Sequence, residues 1–304
     1  MQKDFLSITD CSVELLEELL ELSASLKSLY KGGSRDLCLA GKTLAMLFEK
    51  PSLRTRISFQ VGMRDLGGSS IYVKPEDIGG IGKREPIKDM GRVFSRYVDV
   101  IMARTFEHAT VIGLAENASV PVINALTDWS HPCQAMADVL TIKEHLGRIE
   151  GVKLTYVGDG NNVARSLAVA CSKLGMKMII AAPTGYELDA GTIEKTNAIA
   201  PGSVVQTNDP KAAVSQADVI YTDTWVSMGQ EDEKAKRVAD FEGFQVDSAL
   251  VNCAPVGVKI MHCLPAKRGY EISDEVTEMP DSIIFDQAEN RLHFQRALLK
   301  KLVS

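Results

Sequence analysis

The strongest constraint on this chain is a rhythm of short apolar runs, apolar nearly throughout rather than alternating, each followed by a helical pattern. The first series reads TLAMLF (43–48), SSIYV (69–73), VDVIMA (98–103) and VPVIN (120–124). The second reads VKLTYVG (152–158), MKMIIAA (176–182), SVVQT (203–207), ADVIYTD (217–223), VKIMHC (258–263) and SIIF (282–285). Unbroken apolar runs are the mark of strands covered on both faces. Intervening helices are what parallel neighbours require as crossovers. The pattern therefore predicts an α/β fold of two doubly wound parallel-sheet domains in tandem. The length of 304 residues agrees, at roughly 150 residues per domain.

Segment 12–30 has Leu15, Leu19, Leu22 and Leu26 at three- and four-residue steps, Ser12 as N-cap and Gly32-Gly33 as terminator, and predicts an amphipathic helix facing the core. A second helix runs from Pro132 to about His145 and stops at Gly147, so the boundary is expected between Gly147 and Gly151. The first domain is then 1–147 and the second 148–286, with the closing helix 287–304 returning to the first.

A composition of 45% hydrophobic and 24% charged residues excludes a disordered or fibrous chain. The net charge of -6 argues against general affinity for nucleic acid or anionic membrane. An anionic ligand must therefore be caught by a local site. Cys11, Cys38, Cys133, Cys171, Cys253 and Cys263 form no C-x-x-C pair and no dense framework, and read as reduced thiols of a cytoplasmic protein. The N-terminal segment has no apolar h-region, and no apolar run approaches the ~18 residues of a membrane span.

In open α/β sheets ligands bind beyond the carboxyl ends of the strands, so the residues after each run carry the functional reading. After 43–48 comes Ser52-Leu53-Arg54-Thr55-Arg56, where an N-cap serine, a helix N-terminus, two arginines and two hydroxyls form a phosphate-type anion site. The bland alternative is a cap followed by solvated arginines. Arg104 follows 98–103, and His131-Pro132-Cys133-Gln134 opens the next helix with His131 and Gln134 at i, i+3. Histidine can donate to a developing oxyanion, and glutamine can both accept and donate. In the second half Gly158-Asp159-Gly160-Asn161-Asn162-Val163 mimics a dinucleotide fingerprint. Val163 replaces the third glycine, however, and no acidic residue ends the next run. Asn161 and Asn162 either bind a zwitterion or form the turn. Asp223 suits an ammonium group, Ser227-Met228-Gly229 suits a lid, and only one of His262 and Cys263 is expected to face a ligand. Arg291 lies in the last helix. The spacings among His131, Cys133, His262 and Cys263 lack zinc-site geometry, so a site without metal is expected.

Taken in order, Ser52-Leu53-Arg54-Thr55-Arg56, Arg104, His131-Pro132-Cys133-Gln134, Asp159-Gly160-Asn161-Asn162, Asp223 with Ser227-Met228-Gly229, His262-Cys263-Leu264-Pro265 and Arg291 resemble the transcarbamylase family. The His-Cys-Leu-Pro and Ser-Met-Gly segments are similar to its ornithine-using branch. The resemblance implies a carbamoyl phosphate domain followed by an ornithine domain, transfer of the carbamoyl group to the δ-amine of L-ornithine, no cofactor, and a homotrimer or multiple of trimers. It also implies site residues. Ser52, Leu53, Arg54, Thr55, Arg104, His131, Gln134, Cys263, Leu264 and Arg291 would contact carbamoyl phosphate, with Arg104, His131 and Cys263 catalytic. Asn162, Asp223, Ser227 and Met228 would contact ornithine. The chain departs from the family at Leu53, usually threonine, and in loop 77–84, where glycine stands near a usual glutamine and Lys83 is one candidate substitute. The competing readings are a binding protein without chemistry and a transcarbamylase for another amine.

Overall fold

The structure, a computed structural model, describes residues 3–227 and 229–304. It comprises two compact units, Met1–Leu140 with Glu289–Ser304, and Thr141–Ala288.

The first unit contains α1 (Val13–Lys31), β1 (Thr43–Phe48), α2 (Leu53–Asp65), β2 (Ser69–Val73), α3 (Pro75–Ile78), α4 (Ile87–Phe94), β3 (Val100–Arg104), α5 (His108–Asn117), β4 (Val122–Leu126) and the start of α6 (Pro132–Leu146). Its sheet has the order β2-β1-β3-β4, with every pairing parallel. The strand order reverses between β1 and β3, which makes their carboxyl ends the topological switch point. A register shift at Ala103/Arg104 disturbs the β3–β4 pairing beside that point, as bulges near functional sites do. Ser12 caps α1 by accepting the Leu15 N–H. The buried stripe of α1 runs Leu16, Leu19, Leu20, Ser23 and Leu26, leaving Leu15 and Leu22 at its margins. Ala45, Leu47, Ile101, Ala103 and Val122 form the core beneath α4 and α5 with Met90, Val111 and Leu114. Each large side chain buried there contributes about 1.5–3 kcal/mol.

The second unit contains β5 (Lys153–Val157), α7 (Asn162–Lys173), β6 (Lys177–Ala181), α8 (Ala190–Ile199), β7 (Val204–Thr207), α9 (Pro210–Val214), β8 (Val219–Thr222), α10 (Lys234–Asp240), α11 (Ser248–Val251), β9 (Lys259–His262) and α12 (Asp274–Thr277). Its parallel sheet has the order β7-β6-β5-β8-β9, so the switch point lies between β5 and β8.

The last helix, α13 (Ile284–Val303), begins earlier than the expected 287. The strand expected at 282–285 does not form. Only Ser282 bridges to Ile260, because the chain turns into α13 at Ile284. The first sheet's later strands also begin later than their apolar runs, at Val100 and Val122, which brings Arg104 into β3. From Glu289 onward α13 belongs to the first unit. Phe294 packs 5.9 Å from the Phe5 ring, and Arg296, wholly buried, donates from Nη2 to the Leu26 carbonyl at 3.2 Å. Gly62 lets α2 approach this helix, since a Cβ there would lie 3.2 Å from Arg296 Cγ.

Candidate active site

At the first switch point Ser52 Oγ accepts the Thr55 N–H at 3.2 Å and caps α2, whose free N-terminal amides lie next to the end of β1. Thr55 is fully buried and its Oγ1 accepts from Arg291 Nη2 at 2.7 Å. Arg291 Nη1 donates to Gln134 Oε1 at 2.9 Å, and Gln134 Nε2 donates to Asp138 Oδ1 at 2.8 Å. One guanidinium from the far end of the chain thus ties the α2 cap to the first turn of α6. Arg104 and His131, both buried, complete the cluster from the ends of β3 and β4.

Burial drives the His131 imidazole well below its ordinary value, and Arg291, Arg104 and Arg54 push in the same direction. His131 is therefore neutral at pH 7 and can donate a hydrogen bond from one ring nitrogen. Three guanidinium groups acting on one neutral imidazole are the chemistry that suits a phosphorylated anion. Arg56 turns away and stacks over the Tyr72 ring at 4.0 Å. Leu53, at the first position of α2, is 75% exposed, so its side chain adds nothing to this cluster. Loop 77–84 is pinned to the core by buried Ile81, with Lys83 exposed.

In the second unit the turn after β5 and the end of β8 meet around Asp223. Its Oδ2 accepts from Asn161 Nδ2 at 3.0 Å, and its Oδ1 accepts from Cys263 Sγ at 2.9 Å and from the Thr224 N–H at 2.7 Å. Asn161, not Asn162, is the turn residue against Asp223. Asn161 also caps α7, whereas Asn162 is that helix's first residue. The phenol of Tyr156 donates to Asn161 Oδ1 at 3.3 Å and is held far above its ordinary pKa by burial and by Asp223, so it stays protonated. The Ser227 N–H donates to Gln230 Oε1 at 3.1 Å. Met228 lies outside the described residues. Leu264 has a positive φ of 59°, a strained backbone conformation for a side chain of this kind.

His262 and Cys263 take different partners, with Cys263 bonded to Asp223 and His262 to Leu264 and Glu271. The Leu264 N–H donates to His262 Nδ1 at 2.8 Å, so the ring proton lies on Nε2, which donates to Glu271 Oε1 at 3.1 Å. Among the described residues Asp223, His262 and Cys263 bring potential ligand atoms within 4.8 Å of one another. The hydrogen bonds of His262 use both ring nitrogens, which leaves that imidazole no lone pair for a cation.

Three contributors escaped the sequence reading. Asp138 sits one helical turn beyond Gln134, a spacing that could have signalled it. Lys50 is buried with its Nζ 4.4 Å from the Phe106 ring centroid, and burial and then Arg104 lower its pKa. Arg237 binds Asp159 Oδ2 at 2.9 Å and the Trp225 carbonyl at 3.1 Å, bracing the chain just after β8, a link that spans too much sequence to be read from spacing.

A cluster of guanidinium groups suited to a phosphorylated ligand in one parallel-sheet unit and a carboxylate-centred cluster suited to an amine in the other are features fitting a two-substrate group transferase. The chain belongs to the aspartate/ornithine carbamoyltransferase family. The model of that family's carbamoyl-P binding domain matches residues 3–144, and the model of its Asp/Orn binding domain matches 150–302. A curated relative, ornithine carbamoyltransferase of Methanocorpusculum labreanum, is 50% identical, with 100% of this chain and 99% of that protein covered. The chloroplastic ornithine carbamoyltransferase of Pisum sativum is 49% identical over 98% of this chain and 79% of its own. Among solved structures, ornithine carbamoyltransferase from Pyrococcus furiosus superimposes with a TM-score of 0.96 at 49% identity, covering 99% of this chain and 97% of that one.

Proposed function

We propose that the chain transfers the carbamoyl group of carbamoyl phosphate to the δ-amine of L-ornithine, giving L-citrulline and phosphate. The observation that carries the reading is the convergence of Arg54, Arg104 and Arg291 on a neutral His131 at the first switch point. In this reading the unit with residues 1–147 and 287–304 binds carbamoyl phosphate and 148–286 binds ornithine.

Ser52, Arg54, Thr55 and the amide of Leu53 hold the phosphate. Arg104 and His131 donate to the carbamoyl oxygen, Gln134 accepts from the carbamoyl NH2, and Arg291 clamps the same ligand. Asn162, Asp223, Ser227 and Met228 hold ornithine, with Cys263 and Leu264 near the reacting carbon. The neutral δ-amine attacks that carbon, the tetrahedral intermediate expels phosphate, and the leaving phosphate takes the amine proton. With an amine pKa of ~10.4, presenting the neutral form at pH 7 costs roughly 4–5 kcal/mol. Asp223, an anion, favours the charged amine and so orients ornithine without activating it. Each oxyanion donor contributes about 3 kcal/mol.

The chain acts as a homotrimer or multiple of trimers. Apolar side chains left exposed on the first unit support this, among them Ile71 at 52% on the edge strand β2 and Tyr97 at 77%. Its place is the cytoplasm, a reading supported by thiols that form no disulfide among the described residues, and citrulline formation fits arginine biosynthesis. No helix among the described residues is long and apolar enough to cross a membrane. Incubation with carbamoyl phosphate and a panel of amines, scored for ureido product, tests the proposal. Citrulline from ornithine is the expected result. Product only from putrescine or lysine, or no product from any amine, overturns it.

A further inference from the structure

We infer that Asp138 is a positioning residue that fixes the orientation of the Gln134 amide and thereby lets the site tell a carbamoyl group from an acetyl group. The inference rests on the reading that Gln134 faces the carbamoyl NH2. Both residues are buried on one face of α6, four positions apart, and Gln134 Nε2 donates to Asp138 Oδ1 at 2.8 Å. At the other end of the amide, Arg291 Nη1 donates to Oε1 at 2.9 Å. A guanidinium only donates and an ionised carboxylate only accepts. A flipped amide would set NH2 against guanidinium and oxygen against carboxylate, so the two neighbours jointly forbid it.

Arg291 uses one lone pair of Oε1, and the second can accept an N–H from the ligand. A carbamoyl group supplies that proton. An acetyl group, nearly the same shape, presents a methyl instead and leaves the second lone pair of a buried acceptor without a donor, a loss by which sites discriminate. Asp138 touches neither substrate in this arrangement and acts wholly through Gln134.

The test compares KM for carbamoyl phosphate with the competitive inhibition constant of acetyl phosphate in Asp138→Leu, Asp138→Asn, Gln134→Leu and the double variant. Asp138→Leu is expected to raise KM for carbamoyl phosphate about tenfold while the acetyl phosphate constant moves less than about threefold. Asp138→Asn restores an acceptor of the same shape and should recover most of the discrimination. If Asp138→Leu moves both constants together, or neither, the residue is merely structural and the inference is overturned. Should that variant fail to fold, the double variant replaces both partners with apolar groups, a change that is often nearly neutral for stability. Its discrimination should then equal that of Gln134→Leu alone. A further loss would show Asp138 acting by another route. A Gln134→Leu protein that discriminates as well as the parent removes the underlying reading of Gln134, and the inference with it.

Discussion

Replacing Arg291 by methionine removes the cation that joins Thr55 to Gln134 and keeps similar bulk. Two consequences can be sized separately. Hydrogen bonds from a charged group to an anionic ligand contribute about 1.5–3 kcal/mol, so KM for carbamoyl phosphate should rise roughly 10- to 150-fold. In the unliganded protein Gln134 Oε1 loses its donor, whereas Thr55 keeps Ser52 Oγ at 3.1 Å. A buried carbonyl left alone costs about 1–3 kcal/mol. Part of this is returned, because one of the three guanidinium groups crowding His131 is gone. A net loss near 2 kcal/mol corresponds to a fall in Tm of only about 3 °C at this chain length. Steady-state citrulline formation at saturating ornithine, together with a thermal melt, measures both. A folded Arg291→Met protein whose KM for carbamoyl phosphate stays within about twofold of the parent would refute the assignment of Arg291 to the anion cradle.

Other outcomes follow from the same geometry. His131 should remain neutral well below pH 6.5, its unfolded value. The unfolded chain then binds a proton that the folded one refuses, so stability falls from about pH 6.5 downward by up to ~1.4 kcal/mol per pH unit, until the folded pKa is reached. Unfolding midpoints across pH 5–8 should lose this slope in His131→Gln, and an imidazole resonance of His131 titrating near 6.5 would contradict the depression. Native alkylation should label the exposed Cys38 and Cys253 first and spare Cys133, whose thiol burial pushes to about 12. Rapid labelling of Cys133, read by peptide mass mapping, would mean that its environment is open. Gly160→Ala should destabilise the second unit by about 3 kcal/mol or more, because its Cβ would meet the Leu188 backbone nitrogen at 2.4 Å. A melt within about 1 kcal/mol of the parent would show that the turn can move aside.

Periodicity exposed the two sheets because buried parallel strands must be apolar on both faces, and that demand is local. It placed nine of ten strands and misjudged SIIF, where three apolar residues sit at the junction between a lone bridge and a helix start. The cationic cluster was legible because Ser52, Arg54 and His131 follow strands and Arg104 ends one. What stayed hidden depends on tertiary pairing. Nothing in Asn161-Asn162 says which amide caps α7 and reaches Asp223; tertiary pairing settles that it is Asn161. The partner of His262, Glu271, lies nine residues on across an irregular segment, and Arg237 reaches back 78 positions to Asp159.

The first unit is assembled from both ends of the chain, with Thr141–Ala288 inserted between them. During synthesis at ~5–20 residues per second, the inserted unit is complete before the ribosome has made the helix that closes the outer one. The usual N-to-C order of maturation is therefore inverted: a nascent polypeptide can shape its inserted half before Arg291 has been made. Termination ahead of Glu289 would leave the inserted unit whole and the outer one without its closing helix.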